Sequence, residues 1–446
     1  MNFDNDACVK HIVYKLEQNI TTIFEEQKEE YRTLKKLAKN FGISIEKNVR
    51  INKDLRTLIE NENVLRKIEL IIREGWEEKV FQHTKSYYKS PEHEKIKHTL
   101  TGKKVNFEYE RIINIEDNVE SMYFRSGMAA INAILNCWNL LARGKNLKAC
   151  ILSSYYETVQ LIKMVSSDSI KIFRSFQFED YYDLYLIEPA QADYYLTISN
   201  LDEIFKSINQ SLNFKVLVFD LSFMGTSIDY RKYIENLSEK NIIIFEIESM
   251  LKLHQLGMEF CNCGRLSFKC FGKAQALKDI IVKYLEKYRT LSATNLDYFS
   301  YTLLDNRNFH DINHINKVLK NADIFYEWIK NYDIPHIYFP FGISKKSYHK
   351  TPMINLDFGD NEKSYIGFVS TAISVSEKLG TKIISHNSFG FRNINLEYFS
   401  SEANDNFILR ISPGAFRGVQ FHIVVFLLHY IYGGDKYESS HEITHY

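Results

Sequence analysis

The sequence predicts an α/β protein that has a large domain with a mostly parallel sheet flanked by helices. A smaller C-terminal α+β domain and a helical N-terminal extension complete the prediction. Short β-rich apolar runs alternate with helical segments from about residue 121 to residue 290, and this alternation is typical of a parallel sheet wrapped by helices. The length of 446 residues suits two domains and an appendage. We expect the extension to span residues 1–100, the large domain 101–300 and the C-terminal domain 301–446.

The N-terminal extension is predicted from apolar residues that recur at helical spacing between Val9 and Phe41. A second, highly charged stretch from Leu55 to Tyr87 has the same spacing. We expect the charged residues of these helices to form a solvated face. The extension has two open roles, covering a partner subunit or shaping a site.

The sheet of the large domain is predicted from four β-rich runs, which are Ala149–Ser153, Ile170–Phe173, Val216–Asp220 and Ile242–Ile247. The mixed pattern beyond Leu303 predicts helices near Ile315–Ile329 and Gly367–Leu379 and strands near Met353–Phe358 and Phe407–Ile411. The apolar segment Val419–Tyr432 is too short to span a bilayer, so we expect a buried helix there.

The charge balance argues against nucleic acid and anionic membranes as partners. Lys+Arg and Asp+Glu both number 56, so the chain carries no global field of either sign. The N-terminus lacks the apolar core of a secretory signal, and the six cysteines are scattered along a large chain. We therefore expect a cytoplasmic protein with reduced thiols.

A strand-end carboxylate and a strand-loop lysine are the most informative pair of residues. Asp220 closes one apolar run, and Lys252 follows the next run, which ends at Ile247. Ligands of such sheets gather at the carboxyl ends of the strands. Pyridoxal phosphate (PLP) needs this pair, because the lysine forms a Schiff base with the aldehyde while the aspartate holds the ring nitrogen and keeps the ring an electron sink.

A small, glycine-containing turn at Ser126–Met128 opens a helix rich in Ala, Ile and Leu. Backbone N–H groups at such a helix N-terminus bind phosphate, and glycine permits a close approach. A plain helix cap is the other interpretation. Tyr155 follows a strand end, where it would stack on a planar ring or pack on its own core.

Two arginines are candidates for binding anions. Tyr109 and Arg111 precede the Ser126 turn, and an arginine gives a phosphate a permanently charged, bidentate partner. A solvated surface pair is the alternative there. Arg410 falls inside an apolar strand, where it needs a partner. That partner is either an incoming amino-acid carboxylate or a structural ion pair.

Taken in order, these segments resemble the cysteine/methionine-metabolism family of PLP enzymes, the cystathionine synthases and lyases. That family reads Tyr-x-Arg, Ser-Gly-Met-Ala-Ala and Tyr-Gly-Gly-Thr, then Asp-Asn-Thr-Phe, Ser-x-Thr-Lys, Ser-Leu-Gly and Arg-x-Ser-x-Gly. Ser126–Ala130 match the second motif in full, and the resemblance runs from about Tyr109 to the C-terminus. It implies the PLP-dependent transferase fold type I.

The resemblance implies a role for each matching residue. Lys252 would carry the Schiff base and shuttle protons, Asp220 would hold the ring nitrogen, and Tyr155 would stack on the ring or assist proton transfer. The remaining cofactor-binding residues would be Ser126, Gly127, Met128, Ser222 and Ser249. Tyr109, also a candidate for proton transfer, and Arg111 would reach the phosphate of a neighbouring subunit, which implies a homodimer or homotetramer with shared sites. Arg410 would bind the substrate carboxylate, with Ser388 nearby.

Departures from the family pattern surround the site. Tyr155–Thr158 replaces both family glycines with bulky residues, and Ser249–Lys252 lacks the threonine before the lysine. His254 and Gln255 follow the lysine as polar groups that would face substrate. These departures favour a divergent enzyme of specialised amino-acid metabolism.

We therefore expect a PLP-dependent lyase or transferase that acts on a small L-amino acid through a Schiff base and an α-carbanion. The reaction expected is β- or γ-elimination or γ-replacement. An aminotransferase or condensing enzyme on the same scaffold is an alternative, and so is a non-catalytic relative acting as a binding protein. We expect no metal site at His441–His445, whose spacing matches a metalloprotease motif, or at Cys261, Cys263 and Cys270.

Overall fold

The computed structural model describes residues 5–87, 120–141, 147–165, 170–177, 182–210, 213–223, 240–296, 300, 311–340, 351–359, 362–385, 391–400 and 407–433. The helices in these ranges are α1 (Asn5–Gln18), α2 (Ile20–Asn40), α3 (Leu55–Tyr87), α4 (Gly127–Leu141), α5 (Tyr156–Val165), α6 (Leu201–Gln210), α7 (Lys278–Leu291), α8 (Ile312–Ile329), α9 (Glu362–Lys378) and α10 (Val419–Tyr432). The strands are β1 (Glu120–Phe124), β2 (Leu147–Leu152), β3 (Ile170–Phe173), β4 (Leu184–Ile187), β5 (Lys215–Asp220), β6 (Ile242–Ser249), β7 (Gly264–Phe271), β8 (His336–Tyr338), β9 (Ile354–Asp357), β10 (Asn395–Ser400) and β11 (Phe407–Ser412).

The chain divides into two compact units. The described residues of Lys79–Ile312 form the first, which we call the central unit. The described residues of Met1–Glu78, Asn313–Phe341 and Lys350–Tyr446 form the second, the terminal unit. The N-terminal helices thus share a unit with the C-terminal α+β part. The sequence-based boundaries at residues 100 and 300 stay a prediction.

The central unit contains a seven-stranded sheet in the order β1-β7-β6-β5-β4-β2-β3. Strands β6, β5, β4, β2 and β3 pair in parallel, and β7 runs antiparallel to both of its neighbours. The four strands predicted from the sequence, β2, β3, β5 and β6, are confirmed. Strands β1, β4 and β7 complete the sheet and are additions to the prediction.

The two faces of this sheet bury different sets of apolar side chains. On one face, Ile151, Leu186, Val218 and Phe245 pack in one core with residues of α4. On the other face, alternate residues of the same strands pack with α6. Because side chains alternate across a strand, this division assigns every residue of β2, β4, β5 and β6 to one face. We call the first face the α4 face.

The terminal unit contains a four-stranded antiparallel sheet in the order β10-β11-β9-β8. Its core combines residues of this sheet, of α8, α9 and α10, and of the N-terminal helices, among them Ile12, Leu16 and Leu58. The predicted helices α8, α9 and α10 and strands β9 and β11 are confirmed. Helix α10 is buried along most of its length, as predicted. Within the described ranges, no helix is both long and apolar enough to cross a membrane.

Two charged residues of the N-terminal helices are buried, contrary to the prediction of a fully solvated charged face. Glu62 of α3 accepts hydrogen bonds from the first two N–H groups of α10, on Val419 (2.7 Å) and Gln420 (3.1 Å). Glu30 of α2 is bonded to the buried guanidinium of Arg392, which also donates to Glu69 at 2.7 Å. A helix N-terminus and an arginine therefore compensate these carboxylates.

Candidate active site

The carboxyl ends of β2, β4, β5 and β6 bring polar side chains together on the α4 face. In the parallel register Leu152 lies opposite Ile187, and Ile187 lies opposite Phe219. The following residues, Ser153, Glu188 and Asp220, therefore stand side by side at the strand ends. Ser249 closes β6 on the same face, two residues beyond Ile247, which is the partner of Asp220. This edge is where a parallel sheet presents ligand-binding residues.

Asp220 is half-buried as a residue, but protein surrounds its carboxyl group. Desolvation raises the pKa of Asp220, and the negative charge of Glu248 adds to the rise. The backbone N–H of Ser222 donates to Asp220 Oδ1 at 3.0 Å, which acts in the opposite direction. A cation beside this carboxylate would relieve the cost of its burial.

Glu188 is a second carboxylate at this edge, and the sequence analysis missed it. Its side chain is 2% exposed. Oε1 accepts from the Ser153 hydroxyl at 2.8 Å, and Oε2 accepts from the Ser154 N–H at 3.1 Å and the Ser154 hydroxyl at 3.3 Å. Burial, and then the neighbouring charge of Asp220, raises the pKa of Glu188 to about 7. The signal was present, because Glu188 directly follows the apolar run of β4.

The N-terminus of α4 lies against the end of β6. Ser126 caps the helix, since its hydroxyl accepts from the Ala129 N–H at 3.1 Å. The N–H groups of Gly127 and Met128 belong to the first turn, where a helix supplies no backbone partner. A Cβ atom on Gly127 would lie 3.4 Å from Ser249 Cβ. Ser126 thus acts as a helix cap, which was the other interpretation of this turn. The N–H groups of Gly127 and Met128 remain available to a ligand at the helix N-terminus.

Gly264, the first residue of β7, makes this approach possible. A Cβ atom there would lie 2.2 Å from Ser126 O and 2.6 Å from Gly127 N. Any side chain would displace the peptide that begins α4. Ser222 ties the neighbouring turns together, because its hydroxyl accepts from the Ser249 N–H at 2.9 Å.

Lys252 lies in the turn that follows β6. Its N–H donates to Ser249 O at 3.4 Å, while the N–H of Met250 donates to Cys263 O at 2.8 Å. The residue is half-buried. The sheet edge therefore brings the backbone of Lys252 within one turn of Ser249, which itself contacts the Gly127 and Ser222 segments.

His254 and Gln255 are buried, so the expectation that they face substrate is wrong. His254 Nε2 lies 2.8 Å from Glu248 Oε1, and Arg265 Nη2 donates to Glu248 Oε2 at 3.0 Å. This trio lies on the sheet face opposite α4. The Gln255 amide bonds the chain on both sides of the turn, at Met250 and Cys261.

The backbone of the lysine turn is unusual, because Gln255, Leu256 and Gly257 all have φ between 56° and 69°. Non-glycine residues adopt this left-handed region at a cost of about 1 kcal/mol or more each. The hydrogen bonds of Gln255 and the contacts of Glu248 with His254 and Arg265 offset that cost. They hold the turn that carries Lys252 in one shape.

Tyr155 immediately precedes α5 and is half-buried. Burial raises its pKa, and the charges of Glu157 and Asp220 add to the rise. The Thr158 hydroxyl lies 3.7 Å from Met128 Sδ, which joins the start of α5 to the start of α4. Tyr155 therefore belongs to the same edge as Asp220 and Met128.

The remaining predicted site residues belong to the terminal unit or lie outside the described residues. Arg410 belongs to the terminal unit and is 7% exposed. Its Nη1 lies 3.5 Å from Glu397 Oε2, its Nε donates to Asn355 Oδ1 at 3.3 Å, and its guanidinium lies 4.3 Å from the ring centre of Phe399. The structural ion pair exists, and the substrate-carboxylate role stays a prediction. Tyr109, Arg111, Ser388 and the His441–His445 motif lie outside the described residues.

Searches for related proteins identify the fold. No family model matches the chain, and no curated protein sequence matches it. Among solved structures, it resembles a methionine gamma lyase from Micromonospora echinospora, with 15% identity, a TM-score of 0.51 and coverage of 69% of this chain and 80% of that one.

Two further solved structures agree. A cystathionine gamma synthase from Xanthomonas oryzae pv. oryzae gives 15% identity, a TM-score of 0.51 and coverage of 69% and 80%. A cystathionine gamma-lyase from Lactobacillus plantarum gives 14%, 0.51, 70% and 81%. The chain therefore has the fold type I architecture of PLP-dependent enzymes, as predicted. At these identities the likeness establishes the fold.

Proposed function

We propose that this protein is a PLP-dependent enzyme of the cystathionine synthase and lyase type, acting on an L-amino acid by β- or γ-elimination or γ-replacement. One observation carries the proposal. A single sheet edge holds a strand-end carboxylate (Asp220), a lysine turn (Lys252) and a helix N-terminus packed against a serine (Gly127 and Ser249).

The residues present fit the cofactor. The N–H groups of Gly127 and Met128, together with the hydroxyl of Ser249, form a donor set for a phosphate. Their arrangement depends on the missing side chain of Gly264, whose Cβ would lie 2.2 Å from Ser126 O. Asp220 offers a carboxylate whose burial favours a cationic partner.

When bound, PLP supplies an aldehyde for a lysine amine and a ring that accepts an electron pair from the α-carbon. The remaining work falls to the protein. Asp220 holds a proton on the ring nitrogen, and Tyr155 covers a ring face. The Lys252 amine would take the α-proton and would deliver a proton to the side chain that carries the leaving group. Tyr109 is a second candidate for this proton transfer.

The substrate class is supported by proteins that share the fold. One is a synthase in complex with aminoacrylate and cysteine, and another is a lyase complexed with L-serine. The bulky Tyr156 and Glu157, where the family has glycines, support a divergent substrate in specialised amino-acid metabolism. The resemblance further supports a homodimer or homotetramer in which Tyr109 and Arg111 complete a neighbouring site, and Arg410 with Ser388 remain the candidates for the substrate carboxylate.

Cofactor uptake tests the proposal directly. We expect purified protein mixed with PLP to gain a visible absorption band, which borohydride bleaches while adding the reduced cofactor mass to the peptide that contains Lys252. Lys252→Ala would lack both signals, and Lys273→Ala, at an exposed lysine, would keep them. A protein that takes up no PLP would overturn the proposal.

Product analysis then distinguishes the reactions. With a panel of β- and γ-substituted amino acids, elimination releases the leaving group, ammonia and a keto acid. Replacement joins the amino acid to an added nucleophile without releasing ammonia. A protein that only exchanges amino groups would be an aminotransferase and would contradict the proposed reaction class.

A further inference from the structure

The turn that carries Lys252 is anchored on both sides by buried side chains. Met250, Leu253, His254 and Gln255 are each at most 2% exposed, whereas Lys252 between them is half-buried. Polar groups are costly to bury unless they are hydrogen-bonded, and apolar side chains would anchor a turn at a lower cost. The presence of His254 and Gln255 in this turn therefore needs a reason beyond burial.

Two side-chain bridges close the turn, and Lys252 lies inside both. His254 Nε2 lies 2.8 Å from Glu248 Oε1, and because an ionised carboxylate only accepts hydrogen bonds, the imidazole is the donor. The Gln255 amide donates to Met250 O at 3.1 Å. The first bridge begins four residues before the lysine and the second ends three residues after it, so together they fix the chain on either side of Lys252.

Glu248 connects this turn to the proposed phosphate-binding groups. Arg265 Nη2 donates to Glu248 Oε2 at 3.0 Å, and the two residues are partners in the register of β6 and β7. The next pair in that register is Ser249 and Gly264, and both lie against the start of α4. The carboxyl group that is bonded to His254 therefore belongs to the residue that directly precedes the phosphate-binding segment.

The backbone of the turn is held in a shape that it does not prefer. Gln255, Leu256 and Gly257 have φ angles of 58°, 56° and 69°, and this left-handed region is unfavourable for the first two residue types. A hydrogen bond to a charged group shifts an equilibrium about 10- to 100-fold. The bond between His254 and Glu248 is therefore strong enough to favour this shape over a relaxed one.

We propose that His254 is a positioning residue for Lys252, which keeps the lysine turn in the shape that brings the amine to the PLP aldehyde while the phosphate lies at the start of α4. The inference rests on the proposed function and deepens it. The aldehyde and the phosphate arm of PLP leave adjacent carbons of one planar ring, so the amine and the phosphate donors need a matching separation. In the covalent step the amine nitrogen adds to the aldehyde carbon, a C=N bond forms and the aldehyde oxygen leaves as water.

Two ligands distinguish the position of the lysine from the integrity of the whole site. Pyridoxine 5′-phosphate carries an alcohol in place of the aldehyde, so it binds through its ring and phosphate without reacting with Lys252. The ratio of the PLP affinity to the affinity for this probe therefore measures the contribution of the lysine bond. Both affinities are measured by equilibrium titration for the wild type and for His254→Asn, His254→Gln, Lys252→Ala and His422→Asn.

We expect His254→Asn, whose amide is too short to reach Glu248, to lower the PLP affinity about tenfold and to keep the probe affinity within about twofold. The ratio thus moves toward that of Lys252→Ala, which lacks the lysine bond. His254→Gln restores the wild-type ratio, because its amide nitrogen can take the place of Nε2. His422→Asn makes the same change at a buried histidine of the terminal unit and leaves the ratio unmoved.

The outcomes separate the two proposals. If the wild type binds neither ligand, the proposed function fails. If the wild type binds PLP through Lys252 and His254→Asn keeps the wild-type ratio, the role of His254 is refuted and the proposed function stands. An equal loss of both affinities in His254→Asn would show general damage to the site and would also refute the positioning role. Should His254→Asn not fold, His254→Gln alone tests the role, because a lowered ratio there would refute it.

Discussion

A methyl group added at Gly264 tests the closest packing of the candidate site. In Gly264→Ala the new Cβ would lie 2.2 Å from Ser126 O, 2.4 Å from Ser126 C and 2.6 Å from Gly127 N. Non-bonded heavy atoms prefer a separation of about 3.5 Å, so the start of α4 must move by about 1 Å. Overpacking of this kind costs about 1–3 kcal/mol. Because only backbone atoms could move to relieve these contacts, we expect the free energy of unfolding to fall by about 3 kcal/mol.

The same displacement should weaken PLP binding. Hydrogen bonds to a charged group contribute about 1.5–3 kcal/mol each, and moving the Gly127 N–H by about 1 Å removes one of them. We therefore expect affinity to fall about 10- to 100-fold. Urea unfolding and PLP titration measure the two effects. Gly127→Ala, whose Cβ would make only an ordinary 3.4 Å contact with Ser249, serves as the control for stability. A Gly264→Ala protein with wild-type unfolding and affinity would refute the reasoning.

Three further substitutions test other buried groups. Arg392→Met leaves the carboxylates of Glu30 and Glu69 without their cationic partner. The free energy of unfolding in urea should fall by about 3–5 kcal/mol, and a fall under about 1 kcal/mol would contradict this expectation. Burial lowers the pKa of His422 to about 4, so its stabilising contribution is complete above pH 6.5 and is lost as pH falls through 4, by about 3 kcal/mol. His422→Leu should flatten this dependence, and an unchanged slope would be the contrary result. His254→Leu removes the bond to Glu248 and should accelerate hydrogen exchange in the turn 250–261 about tenfold without affecting β2; uniform protection would argue against it.

The parallel sheet was predictable because its central strands are continuous apolar runs. Val216–Phe219 and Ile242–Ile247 are buried on both faces, so their composition alone distinguishes them. Strand β7 was missed because Arg265, Ser267 and Lys269 interrupt it. Arg265 is nevertheless buried, since Glu248 of the adjacent strand pairs with it. The sequence shows that polar and apolar residues alternate in β7, but it does not show that Glu248 pairs with Arg265.

The candidate site was predicted in part for a similar reason. A strand-end carboxylate identified Asp220, and the same rule would have found Glu188 had β4 been recognised. His254 and Gln255 were expected in contact with substrate because they are polar residues that closely follow Lys252. Their burial follows from the left-handed backbone at Gln255 and Leu256. Neither residue type indicates such a backbone conformation in the sequence.

The buried glutamates of the N-terminal helices also have partners that the sequence does not identify. Their charged residue type alone assigned Glu30 and Glu62 to a solvated surface, although both stand at helical spacing from buried apolar residues, Glu30 four residues before Leu34 and Glu62 four residues after Leu58. Their partners, Arg392 and the first turn of α10, lie more than 350 residues away in the chain. No local pattern reports an interaction across that separation. The apolar positions Ile12 and Leu16, which follow periodicity, were predicted correctly.

The interleaved chain path of the terminal unit has a consequence for biosynthesis. Helices α1 to α3 leave the ribosome first, but the residues that cover Ile12, Leu16 and Leu58 belong largely to α8–α10 and β9–β11. At about 5–20 residues per second, these helices wait roughly half a minute with an uncovered apolar surface and an uncompensated Glu62. The central unit can complete its sheet during that interval. A nascent chain released before α10 should therefore recruit chaperones through α1 to α3, and a chain released after α10 has been completed should not.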